Sequence, residues 1–150
     1  MLIQRATELG AKITVEMIKD LLDELDGKAV EWDTDKAETL CKEMIRKEDY
    51  IVFHYVNGAG KVVGLITIAE TESLYAGGKI GLVQELYIVP TLRSKKLGRS
   101  LIKKAIDYAR MRKWNRLEVG APAYPEWARS KAFYIREGFK EVGPRLKYVL

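Results

Sequence analysis

A β-strand that gives way to a helix across a short basic loop constrains the fold of this chain most. Residues 80–89 carry the branched and aromatic side chains typical of a strand, and Pro90 ends the run because it cannot donate a backbone hydrogen bond. From Leu97 the apolar residues recur at helical spacing. The free amides of that helix start, its dipole and six basic side chains between Arg93 and Lys104 predict an anion site of pyrophosphate size.

This basic segment has a simpler alternative reading. Charged residues on one helix face usually serve solubility, and Lys103, Lys104, Arg110 and Arg112 lie opposite the apolar stripe of the predicted helix. Charge alone therefore leaves a solvated basic face and a phosphate-binding site both open.

The remaining patterns alternate between helix and strand. We expect helices over 14–25, 34–47 and about 126–137, and strands over 50–56, 61–69, 80–89, 115–120 and a terminal region to Leu150. Thr14 is expected to cap the first helix, and Asp33 or Thr34 the second. The element order predicts an α/β (α+β) fold with one mixed sheet and helices on both faces, in a single domain over 1–150.

Cysteine and histidine are scarce. A single cysteine, Cys41, excludes an internal disulfide, and with a single histidine, His54, it leaves little to hold a transition metal, so we expect no metal cofactor. The sequence also lacks an apolar run of the ~18 residues that a bilayer span needs. We therefore expect a cytoplasmic protein without a membrane partner.

The charges are divided unevenly along the chain. Residues 1–75 hold 9 basic and 15 acidic side chains, whereas residues 76–150 hold 17 basic and 6 acidic ones, within an overall net charge of +5. A basic half of this kind is compatible with nucleic-acid binding. That reading gives no reason for the two motifs described next, and we expect no nucleic-acid partner.

Two motifs in order resemble a known family. Ile88-Val89-Pro90 followed by Arg93-x-x-x-x-Gly98 is similar to the pyrophosphate-binding motif of the GCN5-related N-acetyltransferase (GNAT) family, and Ser130-x-x-Phe133-Tyr134-x-x-x-Gly138-Phe139 is similar to a second family motif. The resemblance covers about residues 50–142. It implies the GNAT fold, in which two parallel strands, here 80–89 and 115–120, splay apart.

The resemblance implies acetyl-CoA as co-substrate. Backbone groups of Leu86, Tyr87 and Ile88 would lie along the pantetheine arm. The pyrophosphate would be held by the loop and helix start, namely Arg93, Ser94, Lys95, Lys96, Leu97, Gly98 and Arg99. Ser94 and Lys96 stand where the family usually has glycines, and Trp127 stands where many members have an asparagine that binds pantetheine, so we do not transfer that contact.

Acetyl transfer from a thioester to an amine requires a base, an oxyanion donor and an acid for the departing thiolate. The resemblance assigns the acid to Tyr134 and the oxyanion contact to the amide of Ile88. Two carboxylates compete for the base. Glu85 is slightly favoured over Glu118, and ordered water alone remains a third possibility. His54 and Cys41 are expected to be structural.

Only the charge distribution of the sequence gives information about the acceptor amine. Six acidic residues between Asp23 and Asp35 against one lysine would attract a small cationic amine such as a polyamine, although a solvated surface would look the same. The function expected is therefore direct N-acetyl transfer to a small primary amine in a ternary complex. Protein or peptide N-acetylation and a non-catalytic acyl-CoA sensor are the alternatives. A homodimer is also compatible with the family.

Overall fold

The computed structural model of the chain describes residues 2–122 and 128–150. The strands are β1 (Leu2–Arg5), β2 (Tyr50–Val56), β3 (Val62–Ser73), β4 (Gly78–Ile88) and β5 (Arg116–Val119). The helices are α1 (Ala11–Asp26), α2 (Thr34–Arg46), α3 (Leu97–Met111) and α4 (Ala128–Arg136). Within these described residues, no helix is long and apolar enough to cross a membrane.

The five strands of the described chain form one mixed sheet in the order β1-β2-β3-β4-β5. Neighbouring strands are antiparallel except β4 and β5, which are parallel. The β2–β3 hairpin closes where turn residues predict it: the Asn57 side chain accepts hydrogen bonds from the amides of Ala59 and Lys61, and Gly60 takes a φ of 77°. The sheet is mixed, as the element order predicts.

Helices cover both faces of the sheet, which confirms the predicted α/β architecture. On one face, α3 and the aromatic residues of α4 pack over Ile66, Ile68 and Val83. On the other face, α1 packs over Leu65 and Tyr87, and α2 contacts the strand residues near Tyr50. The two faces therefore hold separate apolar clusters.

The start of α1 differs from the prediction. Thr14 lies inside the helix rather than at its cap, and its hydroxyl donates to the Gly10 carbonyl at 2.8 Å. The same hydroxyl lies 2.8 Å from Nε2 of the buried His54 on β2. Sequence spacing gives no sign of this contact because Thr14 and His54 are forty residues apart. Gly27 ends the helix in the left-handed region, with a φ of 74°.

The predicted C-terminal strand is wrong, because residues 139–150 form no strand in the structure. Gly143 adopts a φ of 122° and Pro144 has no amide hydrogen, so the backbone cannot continue a ladder through this point. The segment is exposed, with Leu146 93% and Tyr148 87% accessible. Branched and aromatic side chains alone made it resemble a strand.

Candidate active site

The strand β4 is longer than its parallel neighbour, and this forms the opening in the sheet. β5 pairs with β4 from Ile80 to Val83, and β4 then continues five residues further, over 84–88. A bulge in the β3–β4 pairing, between Thr67 and Ile68, lies at the same level. The pairing of the two parallel strands thus ends at Val83, the level at which the family resemblance implies that they splay apart.

Successive side chains at the end of β4 point to opposite faces of the sheet. Leu86 and Ile88 pack with the α3 cluster, whereas Tyr87 packs with α1. Glu85 lies on the face of Tyr87, because it contacts Tyr50 and Thr67 on the α1/α2 side. The strand period of two predicts this division.

The backbone at the end of β4 has a defined direction. The Val89 amide donates to the Val63 carbonyl of the neighbouring chain segment at 3.0 Å. Because a trans peptide places its N–H and C=O on opposite sides, the Ile88 carbonyl points away from β3. The carbonyl of Tyr87 lies toward Gly64 on β3, so the Ile88 amide also points to the open edge.

The loop before α3 adopts the conformation that family glycines favour, although it contains none until Gly98. Ser94 has a φ of 66° and Lys96 a φ of 63°, both in the left-handed region. Alternation of this kind directs consecutive amides toward one concavity, which suits an anion. The first helical hydrogen bond is donated by Ser100 to the Lys96 carbonyl, so the preceding amides of α3 have no partner within the helix.

The basic side chains around this loop are not equivalent. Arg93 is paired with Glu24, Arg99 with Glu137 and Lys103 with Asp107. Lys95 and Lys96, by contrast, are exposed and form no ion pair within the described part of the chain. These two lysines are thus available to a phosphate, and the guanidinium of Arg93 is already engaged.

Glu85 is enclosed by hydroxyl groups. The Thr67 hydroxyl donates to its carboxylate, the Tyr50 hydroxyl lies 3.4 Å from Oε2, and the Glu85 amide donates back to Thr67 Oγ1 at 3.0 Å. Burial raises the pKa of Glu85, and the two hydroxyl groups only partly offset that effect. Among the described residues it forms no ion pair, so the carboxylate retains capacity to accept a proton.

Glu118 has different surroundings. Arg116 Nη2 lies 2.6 Å from its Oε2, and the Tyr75 hydroxyl donates to the same oxygen at 2.9 Å. The guanidinium of Arg116 also lies over the Tyr75 ring, 4.7 Å from its centroid. Glu118 is therefore held in an ion pair, whereas Glu85 is held by hydroxyl groups.

Tyr134 lies on the α3/α4 face, opposite Glu85. Its ring makes edge contacts with Phe133 and Phe139, with centroids at 5.3 and 5.7 Å. Burial raises the pKa of its phenol to about 12, so the hydroxyl remains protonated at neutral pH. Phe133 also contacts the start of α3, because a Cβ built on Gly98 would lie 3.4 Å from it. The two sequence motifs therefore meet at this packing contact.

His54 and Cys41 occupy structural positions. His54 contacts Thr14 and is 3% exposed, and burial lowers its pKa. Cys41 is buried against α1, and burial raises the pKa of its thiol to about 11. Neither is poised for proton transfer or nucleophilic attack near neutral pH.

The acidic segment over 23–35, which spans the end of α1 and the start of α2, is partly occupied by internal contacts. Asp23 pairs with Lys19 and accepts from the Val30 amide, Glu24 pairs with Arg93, and Asp33 caps α2 through the Lys36 amide. The remaining three carboxylates of this segment are exposed: Asp26, Glu31 and Asp35. Trp32 packs between α1 and α2, so it belongs to the core. Trp127, which stands where many family members have an asparagine, lies outside the described residues.

Sequence reasoning missed the groups that hold the predicted residues in place. Thr67 and Tyr50 surround Glu85, and Glu24 holds Arg93 across 69 residues of chain. Thr67 pairs with Glu85 and faces the same side of the sheet, but strand alternation predicts this only when the position of the bulge is known. No local pattern indicates the Glu24–Arg93 pair.

Comparisons with known proteins identify the family that the two sequence motifs resemble. The family model for the Acetyltransferase (GNAT) family matches residues 15–139. An aminoalkylphosphonate N-acetyltransferase of Salmonella typhimurium is 30% identical over 125 residues, covering 73% of this chain and 80% of that protein. The chain therefore belongs to the GNAT acetyltransferase family. It is an acetyl-CoA-dependent N-acetyltransferase.

Solved structures share the fold at low sequence identity. A predicted acetyltransferase of Clostridium acetobutylicum, determined with acetyl-CoA, superposes with a TM-score of 0.83 at 14% identity, covering 99% of this chain and 95% of that one. A transcriptional regulator from Bacillus halodurans also gives 0.83, at 20% identity, with 99% of both chains covered. These neighbours confirm the architecture of the sheet and its helices.

Proposed function

We propose that this enzyme transfers the acetyl group directly to a primary amine within a ternary complex, with Glu85 as base and Tyr134 as acid. The observation that carries the proposal is that these two groups lie on opposite faces of the sheet, Glu85 on the α1/α2 side and Tyr134 packed with the α3 cluster. An amine can then approach from the α1/α2 face while the thiolate departs toward α4. The buried Cys41, with its raised thiol pKa, argues against a covalent acetyl-enzyme.

Binding of acetyl-CoA would use two backbone surfaces. The open edge of β4 offers the backbone groups of Leu86 and Ile88 to the pantetheine arm in the manner of an added strand, and Tyr87 lies between them. The amides from Ser94 to Arg99, with Lys95 and Lys96, would hold the pyrophosphate. The left-handed backbone at Ser94 and Lys96 supports this fit, because it reproduces what glycines usually supply.

The proton transfers follow from the surroundings of each group. Acetyl-CoA supplies the acetyl group as a thioester. Glu85 accepts the proton that the amine loses as the new C–N bond forms, and the Ile88 amide stabilises the negative charge on the carbonyl oxygen. Tyr134 donates its proton to the sulfur as the C–S bond breaks. Glu118 and ordered water alone remain the competing choices for the base.

A small cationic amine of the polyamine type is the acceptor that the charges favour. Three exposed carboxylates lie on the side of the sheet that holds Glu85: Asp26 at the end of α1, Glu31 in the connection that follows and Asp35 in the first turn of α2. They would concentrate a cation there. An aminoalkylphosphonate is the second candidate, because the 30% identical relative is named for that substrate.

A thiol-release assay with acetyl-CoA tests these assignments. We expect spermidine to give a kcat/KM at least about tenfold above that of 1-aminoethylphosphonate, basic peptides or aminoglycosides. The reverse order would overturn the cationic assignment. Intersecting double-reciprocal plots would support the ternary complex, and parallel plots would contradict it. Binding of acetyl-CoA in calorimetry without turnover of any amine would instead indicate an acyl-CoA sensor.

We further propose that residues 1–150 act as one domain that works in the cytoplasm as a homodimer without nucleic acid. The exposed apolar residues of the C-terminal segment, among them Leu146, Tyr148 and Val149, are a surface that a second copy could bury. Light scattering across a concentration series tests the dimer. Absence of salt-sensitive DNA or RNA binding in gel shifts is expected, since the free lysines serve the coenzyme phosphates.

A further inference from the structure

The side chain of Arg93 turns away from the phosphate loop and toward α1. Its Nη1 and Nη2 atoms donate to the two carboxylate oxygens of Glu24 at 2.5 and 2.6 Å. The guanidinium also lies over the ring of Tyr87, 5.5 Å from the centroid. A bidentate pair with an aromatic face below it has little rotational freedom, so the direction of the third donor of Arg93 is fixed as well.

That third donor reaches the open edge of β4. Arg93 Nε donates to the Ile88 carbonyl at 3.0 Å. The same peptide unit is held on its other side by the bond from the Val89 amide to the Val63 carbonyl. The last peptide of β4 is therefore clamped between β3 and the guanidinium, immediately after the Ile88 amide that faces the opening.

We infer that Glu24 is a positioning residue for acetyl transfer: by orienting Arg93, it fixes the backbone of Ile88 beside the reacting carbonyl. The inference rests on the proposed function, because it gives the Ile88 amide its oxyanion role. It departs from the motif-based expectation, in which Arg93 belongs to the pyrophosphate contacts. In this arrangement Arg93 contributes its backbone to the loop and its side chain to β4.

The role of Glu24 follows from charge and geometry. The adjacent guanidinium lowers the pKa of the Glu24 carboxyl, so the pair remains ionised at neutral pH. A neutral amide at this position offers only one acceptor oxygen, and the two parallel bonds that orient Arg93 are lost. A small displacement of an oxyanion donor reduces the rate of the chemical step more than it reduces binding of the ground state.

Glu24→Gln in the full chain tests the inference, with Glu16→Gln as the matched control. Glu16 is an exposed carboxylate on the same helix, so its replacement makes the same change in charge. We expect Glu24→Gln to lower kcat about tenfold while the dissociation constant of acetyl-CoA changes less than about threefold. Arg93→Gln should give a similar loss, and the double variant should be little worse than either single one.

An alternative in which Arg93 is a phosphate ligand restrained by Glu24 predicts the opposite. Glu24→Gln would then release the guanidinium and tighten acetyl-CoA binding by about fivefold or more, whereas Arg93→Gln would weaken it. Either that result or a kcat within about twofold of the Glu16→Gln control would overturn the positioning role.

A second measurement does not depend on turnover. In the free enzyme, hydrogen exchange of the Val89 amide should be about tenfold faster in Glu24→Gln than in Glu16→Gln, because one side of its peptide is no longer held. Unchanged exchange would contradict the clamp even in a protein that acetylates nothing. Failure of the wild-type enzyme to bind acetyl-CoA would instead contradict the proposed function.

Discussion

Thr67 and Glu85 are joined by two hydrogen bonds across the β3–β4 pair, one from the threonine hydroxyl to the carboxylate and one from the Glu85 amide back to that hydroxyl. The threonine thereby holds both the side chain and the backbone of the proposed base. Burial raises the pKa of Glu85, and the hydroxyl partners offset this only in part. Burial therefore provides the basicity of Glu85, and the contact with Thr67 provides its orientation.

Glu85→Gln should lower kcat about 100-fold, because it removes the proton acceptor and keeps the shape of the side chain. Acetyl-CoA affinity measured by calorimetry should be unchanged. Glu72→Gln, an exposed change on β3, is the control. A larger loss in Glu118→Gln than in Glu85→Gln would transfer the role of base to Glu118.

The same variant should affect stability in a pH-dependent way. The pKa of Glu85 in the folded protein lies above its ordinary value of 4.5, so the folded state holds the proton more tightly than the unfolded chain does. Its contribution to stability is fully present below that ordinary value and is lost as the pH rises through the raised pKa. Glutamine cannot ionise, so the melting temperature of Glu85→Gln relative to wild type should increase from about pH 4 to pH 8. A constant difference would contradict the raised pKa.

Tyr134→Phe should lower kcat by about 100-fold while leaving acetyl-CoA binding nearly intact, since the ring contacts with Phe133 and Phe139 are retained. With a pKa of about 12, this phenol should not produce an alkaline fall in kcat below about pH 10. The exposed Tyr148→Phe is the comparison. Equal activity in both variants would remove Tyr134 as the acid.

Lys96→Gly should stabilise the protein by about 1 kcal/mol, because glycine adopts the left-handed backbone of this position without the strain of a Cβ. Thermal unfolding should show a rise of about 3 °C. Lys95→Gly removes the same charge from a neighbour that is not among the positive-φ residues, and it should not stabilise. If both variants melt alike, the loop is not strained at Lys96.

Cys41 should be nearly inert toward thiol reagents in the folded enzyme. Its thiol is 6% exposed and has a pKa of about 11, so little thiolate is accessible near pH 8. Labelling with a chromogenic disulfide should be about 100-fold slower than in guanidinium-unfolded protein. Rapid labelling of the native enzyme would show that the helix α2 opens readily.

Local rules account for much of the fold. Asp33 caps α2, Gly27 ends α1 and Asn57 closes the hairpin, because each acts within a few residues of itself. Alternation along β4 likewise places Glu85 and Leu86 on opposite faces. Such features are readable in sequence because both partners of each interaction are close along the chain.

The contacts that the sequence concealed join distant segments. Thr14 contacts His54 across forty residues of chain. Arg93 is oriented by Glu24, a residue that no periodicity connects to the loop. The pairing of Thr67 with Glu85 depends on a bulge that shifts the β3–β4 register by one residue. The amino-acid composition gives no sign of this bulge. The C-terminal segment shows the opposite error, since strand-like side chains there meet a backbone that Gly143 and Pro144 interrupt.

β4 continues for five residues beyond its pairing with β5, and this extension has a practical consequence for handling the enzyme. A strand edge whose backbone groups pair with no other strand of the described chain is a template for an extended peptide, including one from a neighbouring molecule. The co-substrate that pairs with this edge would act as the missing strand, protecting the protein from self-association as well as reacting within it. Samples kept with acetyl-CoA or CoA should remain monodisperse under conditions in which ligand-free samples aggregate and become turbid.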